Sequence, residues 1–166
     1  MARDNNHSGK PITLTRQERA ILAHLQENGS QAIAALAEKV HMSTTPCWRA
    51  VRRLEEAGII EGYRAAVQPS RLGYGVNALV IVQVDSHRDE HALEFEAAVR
   101  QEEMIVECLV VSGPADYQLR VVADDIEEFS AFSRRTIARM PHVREVRTSF
   151  VLKEVKAFKG YPVPVR

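Results

Sequence analysis

Between Leu14 and Gly58 apolar residues recur every three to four positions, the period of helices buried on one side. From Val76 onward strand-like alternation is interleaved with helical runs. The change falls in Gln68-Pro69-Ser70-Arg71-Leu72-Gly73, with Gly75 just beyond, where residues that interrupt regular structure are concentrated. This pattern predicts two domains, 14–67 and 76–156, joined by a linker at 68–75, with a flexible tail at 1–13 and a C-terminal tail at 157–166.

The first helix opens on a capping box, Thr15-x-x-Glu18, in which the hydroxyl and the carboxylate each satisfy the other residue's backbone N–H. Ile21, Leu22 and Leu25 form its apolar stripe, and Asn28-Gly29 stops it. A second helix from about Ser30 carries Ile33, Leu36, Ala37 and Val40 at i, i+3, i+4 and i+7. After the short turn His41-Met42, Ser43 or Thr44 caps a third helix, whose first turn tolerates Pro46, and Gly58 closes it. On this third helix Cys47, Val51 and Leu54 face inward. Thr45, Arg49, Arg52 and Glu56 cluster opposite, flanked by Trp48 and Arg53. Three short helices with a tight turn before an arginine-bearing last helix describe a helix-turn-helix, a unit that fits the major groove of DNA. Arg49 and Arg52 are expected to reach bases, where arginine can donate twice to guanine. Ser43, Thr44 and Thr45 are placed on phosphates or base edges, and Arg53 on phosphate. Trp48 either presses on sugar or a thymine methyl or packs against the following segment. That segment, Ile59 to Val67, is either a wing or a linking strand, with Arg64 near phosphate. A solvated face of intrahelical pairs, Arg49, Arg52 and Arg53 with Glu55 and Glu56, is the plainer alternative.

The second half reads as strand 76–85, helix 90–100, strands 105–111 and 116–123, helix 126–139 and strand 143–155. The order βαββαβ is ferredoxin-like, so the chain as a whole is α+β, a winged helix-turn-helix followed by a ferredoxin-like domain. The first strand is apolar on both sides, with Val76, Ala78, Val80, Val82 and Val84 on one and Leu79 and Ile81 on the other. Two helices can cover only one face of such a sheet. The second face therefore predicts a homodimer through this domain.

Composition adds exclusions. The 166 residues are 45% hydrophobic, too apolar for disorder, and 22 Lys+Arg balance 22 Asp+Glu. A neutral chain is an unexpected partner for a polyanion, yet the charge is divided. Up to Val67 there are 9 basic and 7 acidic residues, and beyond it 13 and 15. DNA affinity is then expected from a small arginine footprint repeated in an oligomer rather than from a broadly basic surface. The longest apolar stretch, around Ala78–Val82, is far short of a membrane span, and Met1–Lys10 is polar, so the expected location is the cytoplasm. Cys47 and Cys108 stand apart without a CxxC, which argues against a disulfide or a structural zinc site. His7, His24, His41, His87, His91 and His142 are scattered without ligand spacing, so no metal is expected.

Three stretches carry a resemblance: Met42-Ser43-Thr44-Thr45-Pro46-Cys47-Trp48-Arg49-Ala50-Val51-Arg52-Arg53-Leu54-Glu55 with Ala57-Gly58-Ile59-Ile60; Glu107 to Leu119, which includes Ser112-Gly113-Pro114-Ala115-Asp116-Tyr117; and Val151-Leu152-Lys153-Glu154-Val155-Lys156. In these the chain resembles the leucine-responsive regulatory protein/AsnC family of transcription regulators over nearly its whole length. The first helix departs from the family pattern, with Thr15-Arg16-Gln17-Glu18 where aspartates are common. The resemblance implies a winged-helix reader of double-stranded DNA, a βαββαβ domain that dimerises, often onward to octamers, and an amino-acid effector bound between dimers. It implies no catalysis and no cofactor. Ser112, Gly113, Pro114, Asp116 and Tyr117 are the candidate effector contacts, because backbone N–H groups around Gly113 suit a carboxylate and Asp116 suits an ammonium. An enzymatic alternative would need a nucleophile and base, and the loop offers only Ser112 with Asp116. An architectural DNA-bundling protein would share the same fold.

Overall fold

The computed structural model describes residues 13–85 and 88–163. The tail expected over 1–13 lies, apart from Thr13, outside the described residues, as do His7 and His87. Among the described residues two compact units emerge: one comprises residues 13–65 together with 157–163, and the other lies within Ala66–Lys156.

In the first unit α1 (Arg16–Glu27), α2 (Ile33–Lys39) and α3 (Thr44–Glu56) bury Ile21, Leu36, Ala37, Val40, Cys47, Val51 and Leu54 against one another. The capping box forms as the sequence predicts. α2 starts three residues later than expected because Asn28 captures the preceding turn. Its Oδ1 accepts from the Ser30 backbone N–H (3.1 Å) and hydroxyl (2.9 Å), offering the chain a local alternative to helix. The turn between α2 and α3 closes with Met42 N–H donating to Ala37 O at 2.9 Å, which puts His41 in the left-handed region at φ 54°. Gly58, at φ 68°, ends α3 in the same way. The residues from Glu61 to Gln68 carry neither helix nor strand pairing, so the segment read as a wing or linking strand pairs with no strand among the described residues. The C-terminal stretch belongs to this unit through Gln26, whose side-chain amide donates to Tyr161 O (2.9 Å) and accepts from Tyr161 N–H (2.7 Å).

The second unit is a four-stranded antiparallel sheet in the order β2-β3-β1-β4, made of β1 (Val76–Val84), β2 (Ile105–Val110), β3 (Tyr117–Ala123) and β4 (Val143–Phe150). α4 (Asp89–Val99) and α5 (Ile126–Arg135) supply Phe95, Val99 and Phe129 to a core with Val76, Ala78, Val80, Val82 and Val84 of β1. The helix expected to reach Arg139 ends at Arg135 and continues as a 3-10 turn over Ile137–Arg139. The last strand, expected to reach Val155, stops at Phe150. β1, its partner, begins at Val76, and beyond Phe150 only Val151 N–H finds an acceptor on it, Asn77 O at 2.8 Å. The opposite sheet face is less uniformly apolar than β1 alone suggested. Its central row is Leu109, Gln118, Ile81 and Arg147, and the next is Glu107, Arg120, Leu79 and Ser149. Ile81 is 37% exposed and Leu109 40%.

Candidate functional site

α3 is built to show one face. Cys47, Val51 and Leu54 anchor it, and burial raises the Cys47 thiol pKa, which suits packing better than reactivity. Ser43 precedes the helix with its side chain in no capping bond, and it is exposed together with Thr44 and Thr45. Arg49 projects one turn further along, exposed and with no ion pair or hydrogen bond among the described residues. Arg52 lies over the Trp48 ring, 5.8 Å from its centroid, and its Nη1 stands 3.4 Å from Glu55 Oε2. Trp48 is 51% exposed, so a cation–π contact at a wet surface presents both groups together.

Arg53 has a different environment. Its guanidinium pairs with Oε1 of Glu18, a carboxylate only 3% exposed. The other oxygen of Glu18 accepts from the Thr15 backbone N–H (2.8 Å) and hydroxyl (2.9 Å). The capping box of α1 is thereby extended into a clasp on α3, and each oxygen of the buried carboxylate has a donor. The capping box was visible in the sequence, whereas its guanidinium partner depends on how α1 packs against α3.

Tyr63 was not among the expected residues. Its hydroxyl donates to Glu55 Oε1 (3.1 Å) while its ring lies close to Gly29, where a Cβ would come within 3.0 Å of Cδ1. Burial, aided by the Glu55 charge, raises the Tyr63 pKa. This residue fixes the stretch after α3, on which Arg64 is exposed.

In the second unit the loop between β2 and β3 holds the residues read as effector contacts. Val111 N–H donates to Asp116 O (3.0 Å), closing the hairpin, and Gly113 takes φ 116°. No atom of the described residues would meet a Cβ there, and the positive φ is itself a backbone conformation that favours glycine. Asp116 clips the loop to the end of β1: its N–H donates to Val82 O (3.1 Å), and its Oδ2 accepts from Val84 N–H (2.8 Å). Gln83 adds a side-chain donor to Pro114 O. Ser112, Gly113 and Pro114 are exposed, but Tyr117 turns into the core. Its ring sits 4.5 Å from that of Phe95, and its hydroxyl pKa is pushed up to about 12, chiefly by burial and then by the Glu96 charge. A shallow concavity beside the loop is lined by Ile81, Gln83, Pro114, Ala115, Glu145 and Arg147. Glu145 and Arg147 pair at 2.7 Å, which holds the Glu145 carboxyl below its usual range. Gln83, Glu145 and Arg147 alternate along facing strands, a signal the sequence carried but which becomes a site only once β1 and β4 are in register.

Comparison with known proteins decides the family. Residues 77–161 match the model of the Lrp/AsnC ligand binding domain, and 14–61 match a winged helix-turn-helix DNA-binding model. The chain belongs to the Lrp/AsnC family. Among its relatives, the DNA-binding transcriptional activator DecR of Escherichia coli K12 is 31% identical over 150 residues, 90% of this chain and 99% of that one. The leucine-responsive regulatory protein of Haemophilus influenzae is 38% identical over 136 residues, 82% of each. A Neisseria meningitidis transcriptional regulator solved as an L-Met complex superposes with a TM-score of 0.87 at 33% identity, covering 90% of this chain and 97% of its own. Thus the α3 face belongs to an Lrp/AsnC DNA-binding unit, and the sheet and its β2–β3 loop to an Lrp/AsnC ligand-binding domain. No helix of the described residues is long and apolar enough to cross a membrane.

Proposed function

We propose that this Lrp/AsnC chain reads double-stranded DNA with Arg49 and Arg52 of α3, while Ser43, Thr44 and Thr45 at the helix start and Arg64 after it hold phosphates. The observation that carries this reading is the contrast along one helix. Arg53 is spent on a buried carboxylate, whereas Arg49 is exposed with no partner among the described residues. Arg53 then acts by positioning α3 rather than by touching DNA. A helix presenting one unpaired guanidinium and one stacked on Trp48 offers few phosphate contacts, so useful affinity needs two or more copies on a pseudo-palindromic site.

The surface that pairs those copies is the sheet face on which Leu79, Ile81 and Leu109 are interleaved with Gln118, Arg120 and Arg147, a mixed apolar and polar surface. Octamers built from such dimers, and residence in the cytoplasm with its DNA, belong to the same reading. The effector is an amino acid held at the exposed Ser112-Gly113-Pro114 loop, with Asp116 fixing that loop's shape. The family's ligand-binding domain supports this, as does the L-Met bound by the Neisseria relative. Titrating a labelled operator duplex with the parent and with Arg49→Ala tests the DNA assignment. A loss of about 1–3 kcal/mol of specific binding is expected. Binding of specific and random duplexes by Arg49→Ala just as by the parent would refute it. Thermal-shift screening of the twenty amino acids tests the effector, and a flat response to all of them would remove it.

A further inference from the structure

Among the side chains of α3, Trp48 is the large apolar one that the fold does not bury. Cys47, Val51 and Leu54 seat the helix in the core of its unit, and the indole beside them stays 51% exposed. Leaving so large a ring half in water forgoes apolar burial, which a partner surface can recover. Its position suits one. Thr45, Trp48, Arg52 and Glu55 follow one another at spacings of three and four, so they form a single stripe along the helix surface.

The stripe is ordered before any ligand arrives. The Arg52 guanidinium carbon sits over the indole, 5.8 Å from the ring centroid, and Nη1 donates to Glu55 Oε2 at 3.4 Å. Glu55 is fixed in turn, its other oxygen accepting from the Tyr63 hydroxyl at 3.1 Å. Arg52 is thus held by an aromatic ring on one side and by a carboxylate at one nitrogen, with the remaining N–H donors of its fork available. A guanidinium already oriented loses less rotamer freedom on binding than Arg49, which has no partner among the described residues.

We infer that Trp48 and Arg52 read two consecutive base pairs, Arg52 a guanine and Trp48 the thymine next to it, which rests on α3 being the DNA reader proposed above. An arginine that donates twice to guanine O6 and N7 lies in the plane of that base pair. A ring beneath the guanidinium is displaced out of that plane, toward the neighbouring pair about 3.4 Å along the strand. The apolar group that a base presents at that level of the major groove is the 5-methyl of thymine. Cytosine would turn its amino group toward the indole and lose its water without gaining a partner, so the ring discriminates by exclusion as well as by contact.

Selection from a randomised duplex library by the full-length parent, followed by sequencing of the bound fraction, gives the motif, with Arg52→Ala, Trp48→Ala and Trp48→Phe run alongside. The parent is expected to enrich guanine beside thymine. Arg52→Ala should relax the guanine position. Trp48→Ala should relax the thymine position alone, because Glu55 still holds Arg52. Trp48→Phe should keep both, since a phenyl ring still offers the methyl an apolar face. Replacing that thymine by uracil in the selected duplex removes the methyl and nothing else. It should weaken binding by the parent about fourfold, the worth of one buried methyl, and leave Trp48→Ala unchanged. Thermal melts like the parent's show that each variant is folded. An equal response of the parent and Trp48→Ala to uracil, or a guanine set by Arg52 without thymine beside it, overturns the inference while leaving α3 as the reader. No enriched motif with the parent removes both.

Discussion

The two units put their surface chemistry together in opposite ways. In the DNA-binding unit the exposed groups lie on one continuous helix, so 100° per residue is enough to collect Thr45, Arg49 and Arg52 on a face opposite Cys47, Val51 and Leu54. In the ligand-binding unit Gln83, Pro114, Glu145 and Arg147 come from two strands and a loop. Asp85, His91 and His142, whose side chains meet, likewise come from three elements. Their proximity is a property of the sheet order β2-β3-β1-β4 and its register. Substitutions on α3 should therefore act one residue at a time, and those in the sheet unit through several elements at once.

The sharpest way to break that contrast is in the cores. Phe95→Ala removes a fully buried ring that packs on Tyr117 and is expected to destabilise the sheet unit by about 3–5 kcal/mol. Chemical denaturation should show this as a transition that separates from that of the DNA-binding unit. A single shared transition, shifted as a whole, would mean that the two units do not behave separately. Next in size is the clasp. Glu18→Ala takes away the capping box and leaves Arg53 unpaired, at a cost of about 2–3 kcal/mol seen in the melting of the first unit. Ile81→Lys, which puts a charge at the centre of the sheet face, should leave the fold intact and abolish the proposed pairing in sedimentation. An unchanged mass would move the pairing surface elsewhere. Smallest are the backbone tests. Gly113→Ala should cost about 1 kcal/mol because φ 116° penalises a Cβ, whereas His41→Gly should gain about 0.5–1 kcal/mol by relieving φ 54°. Thermal melts of the two variants should shift in opposite directions.

What could be read in the sequence follows the same division. The capping box, the apolar stripes and the arginine face of α3 are local, and the structure contains each of them. The βαββαβ order was equally legible, since helical and twofold periods alternate with punctuation between them. Long-range pairing was not. Spacing gave no reason to couple Arg53 with Glu18, which lie 35 residues apart, or His142 with Glu94, which lie 48 apart. Tyr117 looked like part of the loop because it follows Asp116, yet strand alternation turns it into the core beside Leu119. The second face of the sheet was overestimated for a related reason. β1 alone shows Leu79 and Ile81, but its neighbours set Arg120, Gln118 and Arg147 beside them.

The central claim is that two arginines four residues apart on α3 do different work: Arg49 reads DNA and Arg53 holds the helix. The most direct measurement compares Arg49→Ala and Arg53→Ala in parallel, by operator binding below the melting temperature and by thermal unfolding. Arg49→Ala should keep the parent's stability and lose about 1–3 kcal/mol of specific binding. Arg53→Ala should lose about 1–2 kcal/mol of stability and bind operator nearly as the parent does while folded. Operator affinity unchanged in Arg49→Ala, or lost in a fully folded Arg53→Ala of parental stability, would contradict the account.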